Sequence, residues 1–147
     1  MNKELFLEHY EIKQKYYNAK NEYDKLIEKK AMLVISTQPR ATNFDKELIK
    51  GGTPSNKFEL LVEQLEKLDP EIISARNDRD LQEYFLKKKE IELSNSDDVL
   101  DRIYYLKYVK HYKVRNIAIN VNYSRMQTYR LIEEINEKIK DVTKCYN

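Results

Sequence analysis

Apolar side chains recur at alternating spacings of four and three along the first part of this chain. Leu5, His9, Ile12, Tyr16, Ala19, Tyr23, Leu26, Lys30 and Leu33 follow that alternation from residue 3 to about residue 35, the seam of a coiled-coil-like helix. At 1.5 Å per residue the helix is about 50 Å long, and a seam of that length needs a partner. Helical spacing returns over 55–68 with Phe58, Leu61, Val62, Leu65 and Leu68. Asp69-Pro70 reads as a stop and a restart, because Asp caps a helix and Pro suits its first position. The pattern then predicts a helix over 70–93 with Ile72, Ile73, Leu81, Tyr84, Phe85 and Ile91 as its apolar positions. The first helix and this broken second one are expected to pack as an antiparallel pair.

Residues 36–57 hold two of the three prolines and both glycines, which predicts a long mobile loop. A helical turn at 45–49 is the only order expected there. Gly51-Gly52 lacks the Gly-x-x-x-x-Gly-Lys spacing of a phosphate cradle,. A second joint at 94–97 offers Ser96 or Asp97 as a cap for a helix over 98–110, with Val99, Leu100, Ile103, Leu106 and Val109 turned inward. Tyr104, Tyr105, Tyr108 and Tyr112 run among Lys107, Lys110 and Lys113. Aromatics among lysines stack on bases in some proteins, and on a helix they also complete the edge of a core.

The last pattern is a short helix over 114–121, a break at Asn122-Tyr123, and a second helix opening at Ser124. Ser124 fits an N-cap, and Gln127 three residues later completes a capping box. Asn122 stands where the turn calls for a left-handed residue. Thr128, Leu131, Ile132, Ile135 and Ile139 then face a core, and Arg125, Met126, Tyr129 and Arg130 face away. An outward face with a capped N-terminus and two arginines suits the major groove of DNA. The same helix-turn-helix pattern also closes ordinary helical bundles, so the pattern alone leaves both readings open.

Composition narrows the choice of class. Two glycines and three prolines in 147 residues, 35% of them charged, argue for an all-α fold,. The domain organisation expected is a helical arm over 1–95 and a helix-turn-helix domain over 96–147. Residues 96–132 hold seven Lys/Arg against three Asp, a net of +4, and residues 1–95 net −1. A basic end on a nearly neutral chain is the footprint expected of nucleic-acid binding. Cys145 stands alone, and His9 and His111 are far apart, so neither an internal disulfide nor a zinc site is expected. His9 is read as a partly buried structural histidine rather than a ligand. No apolar run reaches the ~20 residues of a membrane span, and the first residues lack a signal-peptide core, so the expectation is a cytoplasmic protein without membrane contact. Adjacent carboxylates such as Glu133-Glu134 read as solvated surface; no set of catalytic groups, no enzyme activity and no cofactor is expected.

The order of parts over 97–139 resembles the C-terminal domain of ArpU/RinA-type phage late-transcription regulators, which are similar to the region-4 helix-turn-helix of sigma factors. The sharpest piece is Asn122-Tyr123-Ser124-Arg125, followed by Gln127, Tyr129, Arg130 and Leu131. It stands close to that family's G-Y-S-R-x-Q-x-Y-R-L, with Asn122 in place of Gly and Met126 where polar or basic residues are common. The resemblance implies that Arg125, Tyr129 and Arg130 meet double-stranded DNA, with Ser124 and Gln127 as caps. Tyr123 and Met126 complete the candidate face, and Lys113 and Arg115 are candidates for phosphate contacts. The function expected is a sequence-specific regulator activating phage late genes, with host RNA polymerase or a second copy held by the arm as partners. Two alternatives stay open: a small-terminase-like packaging subunit, and a helical adaptor that binds protein and not DNA.

Overall fold

The computed structural model describes residues 3–37 and 55–144, and every regular element among them is helical. The elements are α1 (Lys3–Thr37), α2 (Ser55–Ser94), α3 (Val99–Tyr104) with a π-helical continuation at Tyr105–Val109, α4 (Val114–Val121) and α5 (Arg125–Lys144). The all-α class is therefore observed, with a long N-terminal helix. The body of the loop expected at 36–57, its helical turn at 45–49, Gly51-Gly52 and Cys145 lie outside the described residues. Among the described residues, no helix is long and apolar enough to cross a membrane. Contacts divide the chain into a unit of residues 17–81 and a unit of residues 1–16 and 82–147.

In the unit of 17–81 the heptad seam organises both helices. Between residues 17 and 36, Ala19, Tyr23, Leu26, Lys30 and Leu33 are half-buried and every other position is exposed. On α2 the matching positions are Leu61, Leu65, Leu68, Ile72, Ala75 and Arg79, again at spacings of four and three. Partners run in opposite directions along the two helices, Tyr23 meeting Arg79 and Lys30 meeting Asp69, so the pair is antiparallel. The Arg79 guanidinium lies 4.4 Å from the Tyr23 ring centroid, a cation–π contact. Lys30 donates to Asp69 Oδ1 at 2.7 Å, and because both side chains are well exposed this pair contributes little.

The structure corrects the sequence reading of α2 in two respects. The helix does not stop at Asp69-Pro70; it runs from Ser55 to Ser94 with Pro70 inside it. Pro70 has no N–H to offer the carbonyl one turn back, yet the seam contacts on both sides of it, Leu68 and Ile72, hold the helix in register. The positions expected to face inward also differ. Phe58, Ile73, Leu81, Tyr84 and Ile91 are 50–68% exposed, and Val62 and Phe85 are exposed as well. They lie off the seam, which is completed instead by Ala75 and Arg79. Proline in a helix interior is roughly 3 kcal/mol worse than alanine, so Pro70→Ala is expected to raise stability by about 1–2 kcal/mol. An unchanged urea midpoint in that variant would show that the helix absorbs the proline without penalty.

In the other unit the core is built around Phe6, Leu93, Ile103, Tyr104, Ile117, Val121, Ile132 and Ile135, with Leu5, Val99, Leu100, Leu106, Val114, Leu131 and Ile139 packed on it. Phe6 and Leu93 come from outside residues 96–147, so the first turns of α1 and the end of α2 help to bury the helix-turn-helix. Lys89 fixes that junction, its Nζ lying 2.5 Å from Glu8 and 2.7 Å from Glu92. The cap of α3 is Asp98, one residue beyond the expected Ser96 or Asp97: its Oδ1 accepts the Leu100 N–H at 2.8 Å. Ser96 serves the same turn differently, its Oγ accepting the Asp98 N–H and donating to the buried Asp101 carboxylate at 2.9 Å.

Tyr104 belongs to the core rather than to an aromatic surface. It packs edge-on against Phe6 and His9, with centroid separations of 5.1 and 5.6 Å. Burial, helped by the neighbouring Tyr108 and Glu90, pushes its hydroxyl well above the usual tyrosine range. The helix expected over 98–110 widens to π-helical at Tyr105, where the Lys110 N–H reaches the Tyr105 carbonyl at 3.0 Å. His111, at φ 56°, then ends it. The Tyr112 N–H closes the turn on the Leu106 carbonyl at 2.9 Å.

Candidate nucleic-acid interface

The helix-turn-helix is defined by local hydrogen bonds that its sequence specifies. α4 begins after an extended Lys113 and ends at Asn122, whose φ of 58° and ψ of 38° place it in the left-handed region. The Tyr123 N–H reaches the Ala118 carbonyl at 3.1 Å and the Asn122 N–H reaches the Ile119 carbonyl at 3.4 Å. These are the two bonds of a Schellman motif. Asparagine tolerates this conformation better than other residues with a Cβ, which is why it serves where glycine is usual. Ser124 then opens α5 with a complete capping box. Its Oγ accepts the Gln127 N–H at 3.2 Å, and Gln127 Oε1 accepts the Ser124 N–H at 3.1 Å.

The indexing of α5 follows from that start. Thr128, Ile132 and Ile135 are buried, and Leu131 and Ile139 pack on the core. The Thr128 hydroxyl donates to the Ser124 carbonyl at 3.0 Å, so a polar side chain is accommodated in the interior,. Arg125, Met126, Tyr129 and Arg130 are exposed, as are Lys113, Arg115, Tyr123, Ser124 and Gln127. The nine residues singled out from sequence therefore share the surface of one short segment.

Their chemistry is uneven. The Arg125 guanidinium lies 5.9 Å from the Tyr129 ring centroid, one turn along the helix. No carboxylate among the described residues forms an ion pair with Lys113, Arg115, Arg125 or Arg130. Four cations on one segment can thus meet an external anion without first breaking an internal pair. Just outside the segment, Lys110 Nζ stands 5.6 Å from the Tyr105 ring, and an Arg102 Nη2 donates to the Asn120 carbonyl at 3.5 Å.

One exposed residue escaped the sequence reading. Ile119 on α4 is 66% exposed, whereas Ile117 is fully buried. The signal was available, since residues two apart on a helix cannot face the same core. Among the described residues no three His, Cys, Asp or Glu side chains converge as metal ligands would. His9 is buried at the edge of Tyr104, far along the sequence from His111. In comparisons with known proteins, no family model, no curated protein and no solved structure matches the chain.

Proposed function

We propose that this chain is a sequence-specific DNA-binding transcription regulator, an activator of phage or prophage late genes in the host cytoplasm. The observation that carries the reading is α5 itself: a helix opened by a capping box whose outward first two turns present Arg125, Met126, Tyr129 and Arg130. A helix N-terminus is favourable for an approaching phosphate. Arginine offers two donors in the geometry of guanine O6 and N7. The assignment to late-gene regulators rests on the resemblance of residues 97–139 to the ArpU/RinA type.

A single recognition helix reads few base pairs, so tight specificity calls for a second copy or for host RNA polymerase beside it. Arg125→Ala is expected to weaken operator binding by about 1–3 kcal/mol and to relax base preference. Lys113→Ala is expected to weaken binding evenly across sequences and to flatten its salt dependence. Mobility shifts and footprints across the phage genome measure both, and unchanged binding in both variants would remove the segment from the interface.

A second reading, a helical adaptor that binds protein and not DNA, draws on one observation. Met32 and Ile35 near the end of α1 and Phe58 and Leu60 near the start of α2 are 56–70% exposed, and large exposed apolar side chains are the material of partner surfaces. Failure of every operator region to shift at low salt would favour it. A ring-sized oligomer by light scattering would instead favour the packaging subunit.

A further inference from the structure

We propose that α5 reads a thymine through its 5-methyl group, and that Met126 makes the contact. The inference rests on the DNA-binding reading above and names what that helix recognises.

It follows from what the outward face has left to offer. Gln127 would be the natural partner of adenine, because its amide matches N6 and N7. Its Oε1 is engaged by the Ser124 N–H, and breaking that bond would undo the cap that starts the helix. The Ser124 hydroxyl is engaged by the Gln127 N–H, and Thr128 is buried with its hydroxyl on the Ser124 carbonyl. Each of these side chains is thus held by a bond within the fold, which restricts its reach toward a base edge. Arg125 rests over Tyr129, which directs this pair toward a flat or anionic partner.

Met126 remains. It is 66% exposed on the second residue of α5, more than Tyr129 at 43%. An unbranched thioether at this position adds nothing to the core and leaves apolar surface in water. The thymine methyl is the apolar feature that a base pair presents in the major groove, and apolar side chains recognise it by contact. Arg130, one turn further on, then supplies the polar half of the readout, a guanine edge or a phosphate.

The test uses the full chain and duplexes selected by it from a random-sequence pool. Each thymine of the selected duplex is replaced in turn by deoxyuridine, which removes the methyl group and leaves every hydrogen-bonding atom. One replacement is expected to weaken binding about four-fold, the factor that corresponds to burying one methyl group. Met126→Ala should bind the thymine and uridine duplexes equally, and Met126→Leu should still distinguish them. Circular dichroism confirms that each variant is folded, as expected for an exposed position. The inference is overturned if no replacement matters, if the selected sequences lack thymine, or if Met126→Ala keeps the full four-fold difference. If no duplex is enriched at all, the DNA-binding reading itself fails, and the inference fails with it.

Discussion

Phe6→Ala is expected to lower the stability of the helix-turn-helix unit by about 3–5 kcal/mol, although residue 6 lies more than a hundred positions before the recognition helix. Phe6 is 1% exposed and sits in the same cluster as Ile103, Tyr104, Ile117, Ile132 and Ile135. Its ring meets Tyr104 edge-on at 5.1 Å, a geometry that adds to the burial itself,. Truncation to alanine leaves a cavity within that cluster, beside the ring of Tyr104 on α3. Domains of this size have only about 5–15 kcal/mol in total, so the variant should be close to unfolded at 37 °C. The discriminating measurement is amide hydrogen exchange along α4 and α5. Protection at Ile117, Ile132 and Ile135 should collapse in Phe6→Ala. If protection is lost along α1 alone, the first turns of that helix are an attachment and not part of the core.

The same contact shows where the sequence was legible and where it was not. The turn between α4 and α5 was readable to the residue, because its determinants are local. Asn122, Ser124 and Gln127 each act on backbone groups within a few positions, and a Ser three residues before a Gln means the same thing in any fold. The seam of α1 was equally readable, since apolar side chains mark nearly every position of it. The seam of α2 was readable from Leu61 to Ile72, where apolar side chains mark it, and not beyond, where Ala75 and then polar residues take it over. Arg79 lies over Tyr23 and Lys89 pairs with Glu8 and Glu92, each lending its methylene stem to the interface while its charge finds a partner. A hydrophobicity pattern scores those positions as surface and promotes Ile73, Tyr84 and Ile91 in their place. Pro70 departs from its sequence signal for a related reason: local propensity argues for a break, and packing on both sides outweighs it,.

The core of the helix-turn-helix was half legible. The inward faces of α4 and α5 follow from their spacing, but the core they enter with Ile103 and Tyr104 is completed by Phe6 and Leu93. No pattern within residues 96–147 announces that its core is completed from elsewhere. Tyr104 marked the gap, since it sits in a run of aromatics and lysines that reads equally well as surface. What assigns it to the interior is a long-range neighbour, and such pairings are invisible to any window of sequence. On the candidate interface the reverse holds. Exposure of Arg125, Met126, Tyr129 and Arg130 follows directly from the helical spacing of α5, whereas the lie of Arg125 over Tyr129 depends on side-chain conformation that spacing alone does not fix.

Acidification from pH 7 to 5 is expected to destabilise the same unit by about 2 kcal/mol through His9 alone. His9 is 1% exposed, with Nδ1 3.2 Å from the Tyr104 hydroxyl and Nε2 buried without a hydrogen-bond partner. Whichever tautomer is present, one ring nitrogen is unsatisfied, and protonation would add an N–H with no acceptor. Burial, and to a lesser extent the Lys13 charge one turn away, hold its pKa at about 4, against 6.5 in the unfolded chain. Between those values the unfolded state takes up a proton that the folded state refuses. Stability is therefore full above pH 6.5, declines as pH falls, and has lost about 3 kcal/mol on reaching pH 4. Glu63, whose carboxylate is held low by its hydrogen bond to Lys67, acts only below its ordinary value of 4.5, so the window from pH 7 to 5 isolates the histidine. Urea unfolding across that window should show the decline in the parent chain and a flat profile in His9→Leu, which removes the ionisable group and fills the same space with an apolar one. Parallel profiles would mean that water already reaches the ring. The packing of α1 against Tyr104 would then be looser than a seam that buries Phe6 beside it requires.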